Sequence, residues 1–237
     1  MEVFMKRIVS IMFLLALIGV FTMASTEIPA VDANLPENLE TATFGLGCFW
    51  GSEAVFGGIS GVYKTSVGYA GGTKVNPSYY SLGDHTEVVQ IQFDSSVISY
   101  EGLLEIFWLS HNPYVNYKVQ YMSLILYHSE QQKETAEMFV DSKENETGRK
   151  AATEVLRMTE FYRAEDYHLK FYLQRDKEIL NDLLRYYEDI FALNDSTVAA
   201  RLNSLLAGKG DPDLMENEYE GYGLQNRALE KVRKMLF

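Results

Sequence analysis

Along residues 41–191, short runs whose apolar side chains recur every second position alternate with runs whose apolar side chains recur every three to four. That interleaving of strand-like and helical periods, with helices of unequal length, predicts one α+β domain rather than a solenoid or a barrel. Thr41 to Leu46, Val62 to Tyr69, Glu87 to Phe93, Tyr121 to Tyr127 and Thr153 to Met158 read as strands. Phe49 to Phe56 has helical spacing. Ser99 reads as the N-cap of a helix through Leu103, Leu104, Phe107 and Trp108, which His111-Asn112-Pro113 ends. Ser129 with Gln132 forms a capping box opening a helix toward Val140. Ala164 to Leu173 and Glu178 to Phe191 read as amphipathic helices, and Asp195 as the cap of another ending near Gly208. Asp211-Pro212-Asp213 is expected to break the chain before a last polar helix, Leu224 to Met235. The domain is assigned to residues 41–191 and a helical C-terminal extension to 192–237.

The ends and the charge narrow the setting. Lys6 and Arg7 precede an apolar run from Ile8 to Phe21, followed by Thr22-Met23-Ala24, the layout of a signal peptide over residues 1–24. Residues 25–40, with two prolines, then read as an exposed tether. Secretory localisation follows as an expectation, in the ER lumen or outside the cell, with no stable membrane association once the leader is cleaved. The sequons Asn145-Glu146-Thr147 and Asn194-Asp195-Ser196 agree with export. Against 21 Lys and Arg stand 33 Asp and Glu, a formal charge of −12, so no overall basic field exists to attract nucleic acid. A monomer is expected.

Cys48 is the single cysteine, which rules out an intramolecular disulfide and a thiolate metal cluster. It sits in Gly47-Cys48-Phe49-Trp50-Gly51, at a strand-to-helix turn. Two readings stand: a small buried hydrophobe, or a nucleophile whose pKa the helix N-terminus lowers from about 8.5. The two glycines are expected to permit close backbone approach. Phe49 and Trp50 offer an apolar wall beside the sulfur, or plain core packing. By strand parity Glu87 shares the face of Val89, Ile91 and Phe93, where burial would raise its pKa above about 4.3 and keep a proton for donation. A strand-end carboxylate reaching solvent is the other reading. Tyr79, Tyr80 and Tyr121 lie in or beside loops as candidate phenol donors. The four histidines lack metal-ligand spacing, and no phosphate loop or dinucleotide fingerprint appears, so neither a metal nor a nucleotide cofactor is expected.

The segment Gly47-Cys48-Phe49-Trp50-Gly51-Ser52-Glu53, followed by Gly68-Tyr69-Ala70-Gly71-Gly72 and Asn76-Pro77-Ser78-Tyr79, resembles the peptide methionine sulfoxide reductase A family. His85-Thr86-Glu87-Val88-Val89, Gln120-Tyr121-Met122-Ser123 and Ala164-Glu165-Asp166-Tyr167-His168 continue the resemblance in order. It implies a two-layer α+β sandwich with a split β-α-β, ferredoxin-like core. It implies Cys48 as nucleophile, Glu87 as acid, and Tyr79 and Tyr121 as donors to a sulfoxide oxygen, with Phe49 and Trp50 holding the methyl group. The implied substrate is the S epimer of methionine sulfoxide, free or in proteins, with a Cys48 sulfenic acid as intermediate. Many members resolve that species with a second cysteine near the C-terminus. This chain has none, so an external thiol such as thioredoxin, glutathione or dithiothreitol is expected to do so. The chain departs from the family in shorter links before His85 and Gln120, in Asn116 where an aspartate aligns, and in Met122 where an arginine does. Asn116 is retained as a substrate-binding candidate, with weakened affinity expected. A module that binds methionine sulfoxide without turnover is the alternative.

Overall fold

A computed structural model describes residues 28–237. The leader expected over residues 1–24 lies outside the described residues. The mixed sheet is built from β1 (Glu40–Leu46), β2 (Val62–Ala70), β3 (Thr86–Phe93), β4 (Ser123–Tyr127), β5 (Glu154–Arg157) and β6 (Tyr162–Arg163). Its order is β5-β4-β1-β3-β2-β6. After a first short helix α1 (Ala30–Ala33), helix α2 (Phe49–Gly57) connects β1 to β2, and α3 (Tyr100–Leu109) connects β3 to β4. Strand β3 lies antiparallel between β1 and β2, and β1 lies antiparallel between β3 and β4. Each crossover therefore spans an inserted strand, which is the split β-α-β arrangement. Helix α4 (Glu130–Thr147) leads from β4 to β5, which pairs parallel to it.

Alternation along the strands decides which face is covered. Phe44, Val89, Ile91 and Phe93 are fully buried against Phe56 of α2, Leu103, Leu104 and Phe107 of α3, and Phe139 of α4. Each such side chain contributes about 1.5–3 kcal/mol of transfer free energy. The opposite face carries a smaller cluster of Ala70, Val88, Leu124 and Leu126. Ser99 Oγ accepts the Gly102 amide at 3.0 Å and Ser129 Oγ the Gln132 amide at 3.2 Å, so both caps form. Helix α4 continues past Val140 to Thr147 and ends at Gly148, whose φ of +65° stops it.

The C-terminal part departs from the periodicity in several places. Residues 164–173 form no amphipathic helix: short 3₁₀ turns at Asp166–His168 and Leu173–Arg175 replace it. Lys170 adopts a φ of +46°, which a right-handed helix cannot contain, because its backbone amide and ammonium both go to Glu53. The expected 178–191 helix is split into α5 (Lys177–Leu183) and α6 (Ile190–Asn194). Between them Tyr186 donates to the Gly223 carbonyl and Tyr187 to Asp32 and Ser196, pulling the chain out of helical register. Helix α7 (Thr197–Leu206) is capped by Ser196 Oγ rather than by Asp195, whose carboxylate accepts from Arg163 instead. Asp211 and Pro212 do not merely break the chain. They start α8 (Pro212–Glu218), with Asp211 as N-cap and proline in the first turn, ahead of α9 (Asn226–Leu236). Residues 29–33 are no free tether either: Asp32 accepts from the Thr197 amide at 2.5 Å, at the start of α7.

These helices share a core of Leu173, Ile179, Leu183, Leu202, Tyr222 and Val232, and they brace α2 from behind. Ser204 Oγ donates to the Ala54 carbonyl at 2.6 Å and Arg201 Nη1 to the Gly57 carbonyl at 2.7 Å. Both carbonyls belong to the last turn of α2, which lacks intrahelical donors, and the guanidinium complements the negative end of the helix. In the middle of the same helix, Glu53 is paired with Lys170 at 2.6 Å, both fully buried.

Candidate active site

Helix α2 begins where β1 ends, and Cys48 is its N-cap residue. The turn needs Gly47, whose φ is +97°, a region that residues with a Cβ rarely adopt. Close approach is not the reason for either glycine of the pentapeptide, since a Cβ at Gly47 or Gly51 would meet nothing within 4 Å. That role belongs to Gly57, where a Cβ would stand 2.4 Å from the Ala200 carbonyl oxygen.

Glu87 is 1% exposed and lies under the start of α2. Its Oε2 accepts the Phe49 amide at 3.1 Å and its Oε1 accepts Gln120 Nε2 at 2.8 Å. Burial pushes this carboxyl above the ordinary glutamate range, against the opposing pull of Gln120, the Phe49 amide and the Lys118 charge. The parity argument and the expected direction of the shift both hold.

Cys48 behaves differently from expectation. The residue is exposed, yet desolvation by its surroundings is the largest influence on the thiol and raises its pKa. The Trp50 and Gly51 amides pull downward, as a helix start should, while the Glu87 charge pushes upward. The balance favours the thiol, so a preformed thiolate is not what the helix N-terminus supplies.

Tyr121 ends a 3₁₀ turn, Val119–Tyr121, that straddles the start of β3. From that turn Gln120 reaches Glu87 on one face, and the Val119 carbonyl accepts Thr86 Oγ1 at 2.8 Å on the other. The Tyr121 phenol is pushed up to about 12 by desolvation, then by Glu87, Tyr79 and Cys48, so it remains a donor at neutral pH. Three other candidate residues, Glu87, Tyr79 and Cys48, thus contribute to the electrostatic setting of this phenol. Tyr79 is held by its backbone amide, which donates to Glu165 Oε1 at 3.0 Å. Phe49 is 1% exposed and packs on Tyr69 at 5.9 Å and His168 at 5.0 Å between ring centroids. Trp50 stacks on Phe171 at 3.5 Å, and its Nε1 donates to His168 Nδ1 at 3.1 Å. Tyr80 is 90% exposed.

Asn116 is not brought to this cluster. It is exposed and lines a cavity with Gly71, Thr86, Val119, Met122 and Leu124, on the face of β3 opposite Glu87. Conversely, Gln120, Glu165 and His168 support the site without having been singled out from the residues. Their signal lay in the Gln120-Tyr121 and Ala164 to His168 blocks, where no periodicity distinguishes a supporting polar group from a surface one. Among the described residues no group of three His, Cys, Asp or Glu is placed to hold a metal ion.

Residues 40–191 match the family described as peptide methionine sulfoxide reductase. A peptide methionine sulfoxide reductase of Drosophila melanogaster is 43% identical over 202 residues, covering 83% of this chain and 79% of that protein. Peptide methionine sulfoxide reductase A5 of Arabidopsis thaliana is 36% identical over 220 residues, covering 89% and 83%. Among solved structures, methionine sulfoxide reductase A of Corynebacterium diphtheriae superposes with a TM-score of 0.53 at 29% identity, over 63% of this chain and 82% of that one.

Proposed function

Because the chain belongs to the peptide methionine sulfoxide reductase family and is an oxidoreductase that reduces methionine sulfoxide to methionine, we propose that Cys48 is its nucleophile and Glu87 its proton carrier. The observation that carries this reading is the 3.1 Å bond from the Phe49 amide to Glu87 Oε2, which sets a buried carboxyl beside the N-cap thiol. The methyl group of the S epimer rests against Phe49 and Trp50. Its oxygen faces Glu87 and the phenols of Tyr79 and Tyr121.

Both titrating groups are held toward their protonated forms, which fits a reaction that starts from a neutral pair. The carboxyl gives its proton to the sulfoxide oxygen as the sulfur of Cys48 attacks, and the thiol proton replaces it on the carboxyl. Releasing the thiol proton also removes the need for a preformed thiolate. The balance is one thiol plus one sulfoxide giving one sulfenic acid plus one thioether: the S–O bond of the substrate breaks, the substrate sulfur gains two electrons and Cys48 loses two. The phenols stabilise the oxygen as charge develops on it. Two equivalents of an external thiol, or one dithiol, then return Cys48 to the thiol with release of water and a disulfide. Asn116, across the sheet from Glu87, has no part in this scheme.

The test is to incubate the full mature chain with each epimer and dithiothreitol. Methionine from the S epimer only supports the reading, and absence of methionine from both defeats it. We further propose that the chain enters the secretory route, where small thiols or thiol proteins of that compartment act as reductant.

A further inference from the structure

One side chain touches Phe49, Trp50 and Tyr79 together and has no part in the scheme above. His168 is 2% exposed, with ring centroids 5.0 Å from Phe49, 5.6 Å from Trp50, 4.7 Å from Tyr79 and 4.2 Å from Tyr167. An indole nitrogen can only donate, so the 3.1 Å bond from Trp50 Nε1 requires a lone pair on His168 Nδ1. The ring is then neutral with its proton on Nε2. That nitrogen is buried without a hydrogen-bond partner, and Glu165 Oε2 stands 4.0 Å from it.

We propose that His168 is a positioning residue: its neutral Nδ1 fixes the indole of Trp50, and through it the wall that receives the substrate methyl group. The inference rests on the role given to Trp50 above. Protonation of His168 would turn Nδ1 into a donor facing the indole N–H, and the new charge would be drawn toward Glu165. The indole would lose its acceptor and its fixed plane. The groups facing the ring are the Glu165 carboxylate and the Tyr167 phenol from its own segment, the Tyr79 phenol from the loop before β3, and Trp50 from α2. Arg175 lies farther out, 6.0 Å from the Trp50 ring. Burial lowers the pKa of His168 and Glu165 opposes it, with burial the larger. The ring is therefore neutral at pH 7, and the wall loosens only as the pH falls through the acid side of neutrality.

The chain has two tryptophans, so a ¹⁵N-labelled sample gives two indole N–H signals, and Trp50→Phe assigns the Trp50 signal. That signal is expected to shift with a midpoint below pH 6.5, and to stop shifting in His168→Asn, whose amide oxygen replaces Nδ1 without titrating. In steady-state assays at pH 7, His168→Leu is expected to raise KM about tenfold while kcat changes less than about threefold. His168→Asn should keep KM within about threefold of wild type. An indole signal that ignores pH, or that shifts equally in His168→Asn, overturns the proposal, as does equal loss in the two variants. Should His168→Leu not fold, the indole titration and His168→Asn decide it. The indole readout needs no turnover, so its failure is distinct from failure of the reductase reading.

Discussion

Replacing Glu87 by glutamine separates two effects that the structure couples. Glutamine keeps the shape, and its carbonyl oxygen can still accept the Phe49 amide. Its NH₂ would face Gln120 Nε2, a conflict relieved when the Gln120 amide turns over to offer its oxygen. The hydrogen-bond cost is on the order of 1 kcal/mol. Catalysis loses a proton donor that such groups make worth about 10²–10⁴ in rate, or roughly 3–5 kcal/mol of barrier. The Cys48 thiol should move the other way: the Glu87 charge is one of two influences raising its pKa, so the thiol becomes more acidic in Glu87→Gln. Stability follows a third sign. A carboxyl whose folded pKa is raised favours the native state below its unfolded value and loses that advantage as pH rises through the folded one, so at pH 7 removing the buried charge offsets part of the hydrogen-bond cost in the variant. The assay pairs single-turnover methionine release with the pH dependence of Cys48 alkylation. A rate loss under about tenfold, or a thiol pKa that stays put or rises, would refute the coupled pair.

Lys170→Met leaves Glu53 charged and buried in the middle of α2, and should lower stability in urea by about 3–5 kcal/mol. The joint Glu53→Leu, Lys170→Met change should recover most of it, and a single-variant loss below about 1 kcal/mol contradicts the buried pair. Gly57→Ala drives a Cβ into the Ala200 carbonyl and should cost about 1–3 kcal/mol by the same measurement, whereas a neutral effect means α7 does not brace α2. Passage through a glycosylating secretory pathway should yield a glycan on Asn145, which is exposed, removed by Asn145→Gln. Asn194 is fully buried with its amide on Ser66 and Asp195, so a glycan there is incompatible with the fold; a folded chain carrying one would contradict the packing.

The ferredoxin-like half of the chain was legible because each element obeys one period. Alternation in β3 put Glu87 on the covered face, and Ser99 and Ser129 announced their helices with side chains that do cap them. Past residue 160 local pattern gives way to long-range polar contacts. Lys170 leaves helical geometry for Glu53, 117 residues away, and Tyr187 leaves it for Asp32. Nothing in the neighbouring sequence encodes those partners. At the candidate site, residue type and local setting put forward Cys48, Glu87 and three phenols, Tyr79, Tyr80 and Tyr121, and the family resemblance narrowed the phenols to Tyr79 and Tyr121. The charge state of Cys48 was not legible, since a helix start lowers a thiol pKa only until desolvation and a neighbouring carboxylate outweigh it. The lock on Trp50 was hidden for a similar reason: His168 lies 118 residues from the indole it holds.

In the proposed reaction the sulfoxide oxygen ends on the sulfur of Cys48. Mixing the wild-type chain with excess S-epimer substrate and no thiol, then weighing intact protein and its Cys48 peptide, measures this directly. A gain of about 16 Da on Cys48, matched mole for mole by methionine released, is the predicted result. Methionine released with no mass gain at Cys48, or an equal yield from Cys48→Ser, would contradict it.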